Sequence, residues 1–517
     1  MGAFKECEEM SSAERWTIAV TVMFGAFIAV MDTSVVNVAM KHMMGSFGAD
    51  MNSITWVAIS YSIAEIIMVT MAGWWSSLIG RKTLYIASYA VFTIGSILCG
   101  LATSFEQMII FRVIQGIGGG ALIPISQAIL RETFPPEQQG TAMSLYGMGV
   151  VLAPALGPIL GGWITDNSGW PWIFYINVPV GILGLALTAK FIFDPPYLRR
   201  GMQSIDWLGI ILLTTFLTGM QIILEKGQKE NWFESPYILW GTVVTLAALL
   251  ALIIWEHYYP APVVNFRVFK DKGLAIGSTM GFIFGISLYG TTFILPQFTQ
   301  QILGYPAFES GLALAPRALT LLLFMPVAGW LYQRIGSKGA ILIGIIAIIW
   351  SYYDLTKLSV TAGMSNLVWP LLIMGAGMPF MFVPLSAVSL STISKSDMTD
   401  ASGMYTLTRR IGGNIGYALV ATLLDRGVQA HRVYLSEHIT QFSQSTQAYR
   451  DALVQSLTSM GVNSLKASKL ALGMLEKVLT QQSTMLAYND ISFIFGCMFF
   501  LLVPFLFFLP PQVKTKK

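Results

Sequence analysis

The chain has 517 residues, of which 54% are hydrophobic, 12% aromatic and only 11% charged, against about 25% charged in a soluble globular protein. Its mean hydropathy of +0.63 reads as a polytopic membrane protein and excludes the soluble-enzyme and nucleic-acid-binding classes. The formal net charge is a small +4, and Cys7, Cys99 and Cys497 show no Cys-x-x-Cys spacing, so neither a disulfide framework nor a metal or redox centre is expected.

A bilayer core of about 30 Å takes roughly 20 apolar residues in a helix. Such runs lie near 16–40, 54–76, 84–102, 107–130, 140–163, 172–193, 205–224, 236–256, 274–296, 309–332, 339–355, 368–393, 402–424 and 488–510, which predicts fourteen transmembrane helices. The first follows the charged segment Lys5 to Arg15 and shows no small-residue cleavage site, so it is expected to remain as a helix. Alternation along these runs puts Arg81, Lys82, Arg131, Lys190, Arg199, Arg200, Arg267, Lys270, Arg334 and Lys338 on the side of the N-terminus. The short loops opposite hold Lys41, Lys226, Lys229 and Lys357. Both termini are therefore expected in the cytoplasm. The long segment 425–487 then lies outside, and its apolar residues from Ala452 to Leu479 recur at helical spacing. It reads either as a docking surface or as a helical lid over the outer mouth.

Internal self-similarity sets the architecture. Gly73-Trp-Trp-Ser-Ser-Leu-Ile-Gly80-Arg-Lys82 follows the second run, and Gly329-Trp-Leu-Tyr-Gln-Arg-Ile-Gly336-Ser-Lys338 follows the tenth. Counting from these gives an all-α protein of two six-helix halves, 1–194 and 274–517, with two extra helices in the linker 195–273, a 6 + 2 + 6 plan. Parallel halves with a substrate site at their interface are a standard transporter layout.

Charged residues inside apolar runs are the candidate chemistry. A carboxylate at mid-membrane costs about 2.5–3.5 kcal/mol on insertion scales, so Asp32 and Glu65 each need water, a partner or a bound proton. Asp32 near a helix end is also compatible with capping, and Glu65 with a buried hydrogen-bond partner. Arg112 shares a helix face with Gly116 and Gly119, and Arg409 repeats that pattern with Gly413 and Gly416. Each guanidinium is expected to face the bundle interior and neutralise a carboxylate, with Arg112 to Asp32 as the expected pair; anchoring of the inner helix ends is the alternative. Gly149, Ala153, Gly157 and Gly161 form a stripe at spacing four, with Pro154 and Pro158 as kinks, which predicts a bent helix packed closely on a neighbour. The 27 Met and 31 Phe suit a cavity that repacks around apolar ligands, although lipid- and core-facing positions account for most such residues.

Several segments carry a more specific signal: Met31 to Ala39, Gly73 to Lys82, Arg112 to Gly116, Ala153 to Gly162, Trp172 to Pro179, Leu224 to Gly227, Leu295 to Gln297 and Arg409 to Gly416. Together they resemble the major facilitator superfamily, and within it the fourteen-helix drug:proton antiporters of the EmrB/QacA type, closest to EmrB-like exporters. The resemblance implies efflux of hydrophobic toxic compounds driven by protons, from the inner membrane of a Gram-negative bacterium. It also implies a periplasmic EmrA-like membrane fusion protein and a TolC-type outer-membrane channel as partners. Asp32, Asn37, Glu65, Arg112, Gln115 and Arg409 are expected to serve proton coupling or substrate contact. Gly73, Gly80, Arg81, Lys82, Gly149, Pro154, Gly157, Pro158 and Gly161 are expected to serve packing and conformational change. One departure stands out: the family's acid four residues after Gly73 is here Ser77, which puts a charge relay through that loop in doubt. An uptake permease or a narrow-substrate carrier, of fatty acids for example, is the alternative on the same fold. Gly-x-x-x-x-Gly-Lys-Ser/Thr, His-Glu-x-x-His and Gly-x-Ser-x-Gly are absent from the sequence, so ATP is not the expected energy source, and neither an enzyme nor a cofactor is expected.

Overall fold

The computed structural model describes residues 10–49, 51–135, 137–194, 205–260, 262–440 and 442–510. Arg199 and Arg200, the start of the expected linker and the side chain of Pro158 lie outside the described residues. The described chain is helical throughout. Its main elements are α1 (Ser12–Phe47), α2 (Trp56–Ile79), α3 (Arg81–Gly100), α4 (Phe105–Thr133), α5 (Gln139–Ser168), α6 (Asn177–Phe191), α7 (Trp207–Lys226) and α8 (Pro236–Tyr258). They continue as α9 (Lys272–Gln297), α10 (Ala307–Leu355), α11 (Met364–Ser389), α12 (Met398–Ser436), α13 (Gln444–Ser459) and α14 (Ser464–Phe500). Among the described residues, eleven helices are long and apolar enough to cross a membrane, or twelve with the bent α5 counted as one span.

Local sequence explains the helix limits. Ser11 caps α1 in a box with Glu14, and Gly48 closes it in the left-handed region at φ 62°. Between α2 and α3, Gly80 turns the chain at φ 89°, and inside α10 Gly336 does the same at φ 82°. The repeated loop thus makes the same glycine-dependent turn twice, and L side chains are strained there. The runs expected at 309–332 and 339–355 are accordingly the two arms of α10 about Gly336. α5 bends by 49° between Gln139–Pro154 and Ile159–Ser168, as its prolines require.

The expected loop 425–487 is a correction: α12 runs on to Ser436, α13 follows, and α14 begins at Ser464, well before the apolar run at 488. α13 packs on α14, and Arg432 pairs with Glu476 between the extensions of α12 and α14. The helical spacing from Ala452 to Leu479 foretold helix here, but the apolar-run count did not give its extent, because such a count stops where lipid stops while a helix does not.

Burial sorts the helices. α11 is the most enclosed of the apolar spans, whereas α7 and α8 are largely uncovered. These two pack on each other, and α7 leans on α2 and α12, where Asn414 Nδ2 donates to Gln221 Oε1 at 2.5 Å. Their outer faces show Trp207, Ile211, Trp240, Val244, Leu250 and Ile254, suited to lipid.

Candidate functional site

Asp32 sits on α1 at 2% exposure, held by side chains from α4 and α6. Arg112 Nη1 donates to Asp32 Oδ2 at 2.5 Å and to Gln115 Oε1 at 2.6 Å. Gln115 Nε2 donates to Asp32 Oδ1 at 2.8 Å and to Ser96 Oγ at 2.8 Å. Asn177 Nδ2 also reaches Asp32 Oδ1, at 2.8 Å. Arg112 Nε donates to the Val57 carbonyl at 2.9 Å, and the guanidinium lies 4.2 Å over the Tyr61 ring. Every partner of Asp32 is a donor, so the cage accommodates the carboxylate form. Arg112 and Gln115, three residues apart, share one face of α4, which is why one helix delivers both.

Glu65 lies one turn beyond Tyr61 on α2 and is 2% exposed. Arg410 of α12 donates to its Oε1 at 2.5 Å. This ion pair joins an element of the first sequence repeat to one of the second. Gly116 and Gly120 make room for it: a Cβ on either would fall within 2.5 Å of the Tyr61 or Glu65 carbonyl. The face of α4 that carries Arg112 is therefore pressed against α2.

Two expected site residues stand elsewhere. Asn37 is exposed on α1, and an amide at Asp32 comes from Asn177 of α6. Five residues along α1 turn a side chain through about 500°, so Asn37 points away from the direction Asp32 takes. Arg409 is 3% exposed and, among the described residues, forms no ion pair. Its guanidinium lies 5.0 Å over Phe382 and 5.8 Å over Tyr405, with Nη1 unpartnered. Its neighbour Arg410 makes the ion pair, because adjacent residues point about 100° apart on a helix and the two segments meet on Arg410's side. Asn177 and Ser96 were visible as polar residues within apolar runs; nothing in their spacing named Asp32 as their partner.

The stripe on α5 packs against α1. A Cβ at Gly157 would fall 2.5 Å from Ser34 Cβ, at Gly149 2.8 Å from Met23 Cγ, and at Gly161 3.1 Å from Val35 Cγ1. Ser34 Oγ donates to the Pro154 carbonyl at 3.1 Å, holding the bend.

At the Arg81 end the repeated loops cross over. Gly329 on α10 faces α5, where a Cβ would lie 2.8 Å from the Gly140 carbonyl, and Gln333 Nε2 donates to Thr141 Oγ1 at 3.0 Å. Reciprocally, Gly73 on α2 faces Asp400 on α12, whose Cγ would lie 2.6 Å and Cα 3.0 Å from an added Cβ. Arg81 is ion-paired to Glu132 and buried. The Lys82 backbone N–H donates to Asp194 Oδ1 at 2.6 Å and its Nζ to the Ala189 carbonyl at 2.6 Å. The acid that Ser77 does not supply is thus present from two other elements, as Glu132 at Arg81 and Asp400 at Gly73. Asp400 lies just before the apolar run 402–424, and burial pushes its carboxyl up to about 6, against the pull of its Asn265 hydrogen bond and of Arg81. Further in, Ser402 Oγ donates to the Pro124 carbonyl at 2.8 Å and to Gln127 Oε1 at 3.0 Å, again between α12 and α4.

Residues 22–417 match the family description Major Facilitator Superfamily. The fatty acid resistance protein FarB of Neisseria gonorrhoeae is 30% identical over 96% of each chain. The multidrug export protein EmrB of Escherichia coli K12 is 30% identical over 97% of this chain and 96% of its own. The colistin resistance protein EmrB of Acinetobacter baumannii is 28% identical over 92% of each. Among solved structures, the proton:xylose symporter XylE aligns with a TM-score of 0.62 at 15% identity over 97% of each chain. The human organic anion transporter MFSD10 gives 0.59 at 12% identity, over 94% of this chain and 99% of its own. These two establish a shared fold.

Proposed function

The chain belongs to the Major Facilitator Superfamily, and on that premise we propose that it exports hydrophobic drugs and toxic compounds across the bacterial inner membrane by proton-driven alternating access. It is a secondary transporter rather than an enzyme. The names of the relatives support export, since they describe multidrug export and resistance to fatty acids and colistin. The observation that carries proton coupling is the buried carboxylate pair of sites, with Asp32 caged by Arg112, Gln115 and Asn177, and Glu65 bound across the repeats to Arg410.

A proton arriving at Asp32 removes the charge that fixes Arg112, and a proton at Glu65 releases Arg410 and loosens α2 from α12. Each event biases the packing of one repeat on the other, the bistable element that alternating access needs. One proton moving down 100 mV supplies about 2.3 kcal/mol. The helices are organised as 6 + 2 + 6 within 1–194, 195–273 and 274–517, and α10 spans the membrane twice about Gly336. Both termini lie in the cytoplasm, so the Arg81 end is cytoplasmic and the Gly73–Asp400 and Gly329–Gly140 contacts close that side. The helical extensions of 425–487 stand on the periplasmic side, where an EmrA-like adaptor docks and hands substrate to a TolC-type channel.

Collapse of a preset pH gradient in inside-out vesicles on addition of non-protonophoric lipophilic drugs tests the reading. Wild type responds and Asp32→Asn does not. Absence of a response from folded wild type refutes drug antiport. The second reading, a carrier narrowed to lipophilic acids, takes its support from the FarB relative and calls for a response to fatty acids alone.

A further inference from the structure

The inserted helices α7 and α8 meet at the Arg81 end in a cluster that the transport reading leaves unused. Asp206 caps α7: its Oδ1 accepts from the Gly209 N–H at 2.8 Å and from the Trp255 indole at 2.7 Å. Glu256 enters from the last turn of α8, and its Oε1 accepts from the Val264 N–H at 3.3 Å. The two carboxyls converge on Gly209, where an added Cβ would lie 2.8 Å from Asp206 Cγ and 2.8 Å from Glu256 Oε1. They are 1% and 2% exposed. The remaining oxygen of each, Asp206 Oδ2 and Glu256 Oε2, is buried with no hydrogen-bond partner.

Buried acceptors without donors are costly, and two adjacent carboxylates shielded from water do not both carry charge. The charged groups on neighbouring elements do not resolve this. His257, Arg267, Lys270 and Lys272 are exposed, and Arg267 Nη2 donates instead to the His257 carbonyl at 3.2 Å. Asp271 caps α9 at Leu274, and Asp400 takes the Asn265 amide. Among the described residues, no ion pair reaches Asp206 or Glu256.

We propose that Asp206 and Glu256 form a proton-binding site in which the two carboxyls share one proton, separate from Asp32 and Glu65. One proton on the pair removes the like-charge repulsion between the two buried carboxyls that meet beside Gly209. Its occupancy is tied to the contact between the repeats through two consecutive residues. Glu256 holds the Val264 N–H, and Asn265 Nδ2 donates at 3.3 Å to Asp400 Oδ2, on the side chain that fills the space over Gly73. Loss of the proton sets two like charges against each other and tightens the hold of Glu256 on the Val264 N–H.

The full-length protein in lipid nanodiscs tests this by infrared difference spectroscopy at neutral pH, with exchange into heavy water to identify protonated carboxyls. Wild type shows a carboxylic C=O band that is lost in both Glu256→Gln and Asp206→Asn. Retention of the same band in both variants overturns the proposal. A second measurement needs neither acid variant: Trp255 emission, obtained as the difference between wild type and Trp255→Phe, shifts in one step as pH is raised. A signal flat from pH 5 to 9, or one that responds to added sodium, potassium or magnesium at fixed pH, overturns it in favour of two fixed charges or a bound cation.

Discussion

Replacing Gly73 by alanine puts one methyl group into the contact that closes the Arg81 end. The new Cβ would stand 2.6 Å from Asp400 Cγ and 3.0 Å from its Cα. Rotating the carboxylate away sacrifices the Asn265 hydrogen bond and still leaves the backbone of α12 too close, so α2 and α12 must separate. Overpacking of this kind costs about 1–3 kcal/mol, which lowers the closed population relative to the open one by about 5- to 150-fold. The assay is thiol labelling of Ser144→Cys, which lies beneath Gly329 at the same closed end, alongside drug transport in inverted vesicles. Labelling rises and transport falls in Gly73→Ala. Asp400→Ala removes the Cγ and Oδ atoms from the clash, so the double variant recovers labelling toward that of Asp400→Ala alone. If Gly73→Ala labels and transports as wild type, or if Asp400→Ala does nothing for it, the closure is not built on this contact.

The Asp400 carboxyl, raised to about 6 by burial, favours closure when protonated and loses that contribution as pH rises through about 6; Ser144→Cys labelling therefore increases between pH 5 and 7.5, and Asp400→Asn abolishes the dependence. Arg112→Ala leaves Asp32 buried with amide donors only and lowers stability by about 3–5 kcal/mol, read as a fall in melting temperature that Asp32→Asn in the same chain partly reverses. Arg410→Gln strands Glu65, whereas Arg409→Gln strands no acid, so only the former is rescued by Glu65→Gln in a thermal-stability cycle. Gly157→Ala separates α5 from α1 and impairs transport, while Gly162→Ala, where a Cβ meets Val38 at 3.9 Å, transports normally.

Part of this was legible in the residues themselves. Apolar runs of bilayer length foretell a bundle of long apolar helices, eleven or twelve among the described residues, and the repeated loop foretells that Gly80 and Gly336 make the same turn. Asp32 and Glu65 declare themselves because an acid in such a run has to be compensated. Which groups compensate them was decided by tertiary structure, since a side chain's direction depends on helix phase and on how two helices are rotated against each other. Arg112 reaches Asp32 from 80 positions away, while Arg410 rather than Arg409 reaches Glu65 across 345. Asn177 reaches Asp32 from a third helix, and Asp400 comes to lie against Gly73. The helices of 425–487 lie outside the apolar-run count because a polar helix keeps its backbone hydrogen bonds without a continuous hydrophobic signature, and only the helical spacing from Ala452 to Leu479 pointed to them. Sequence thus determined that the chain is a many-helix membrane protein and which charges need partners, and packing determined the partners, because pairing is a property of faces brought together and not of residues taken singly.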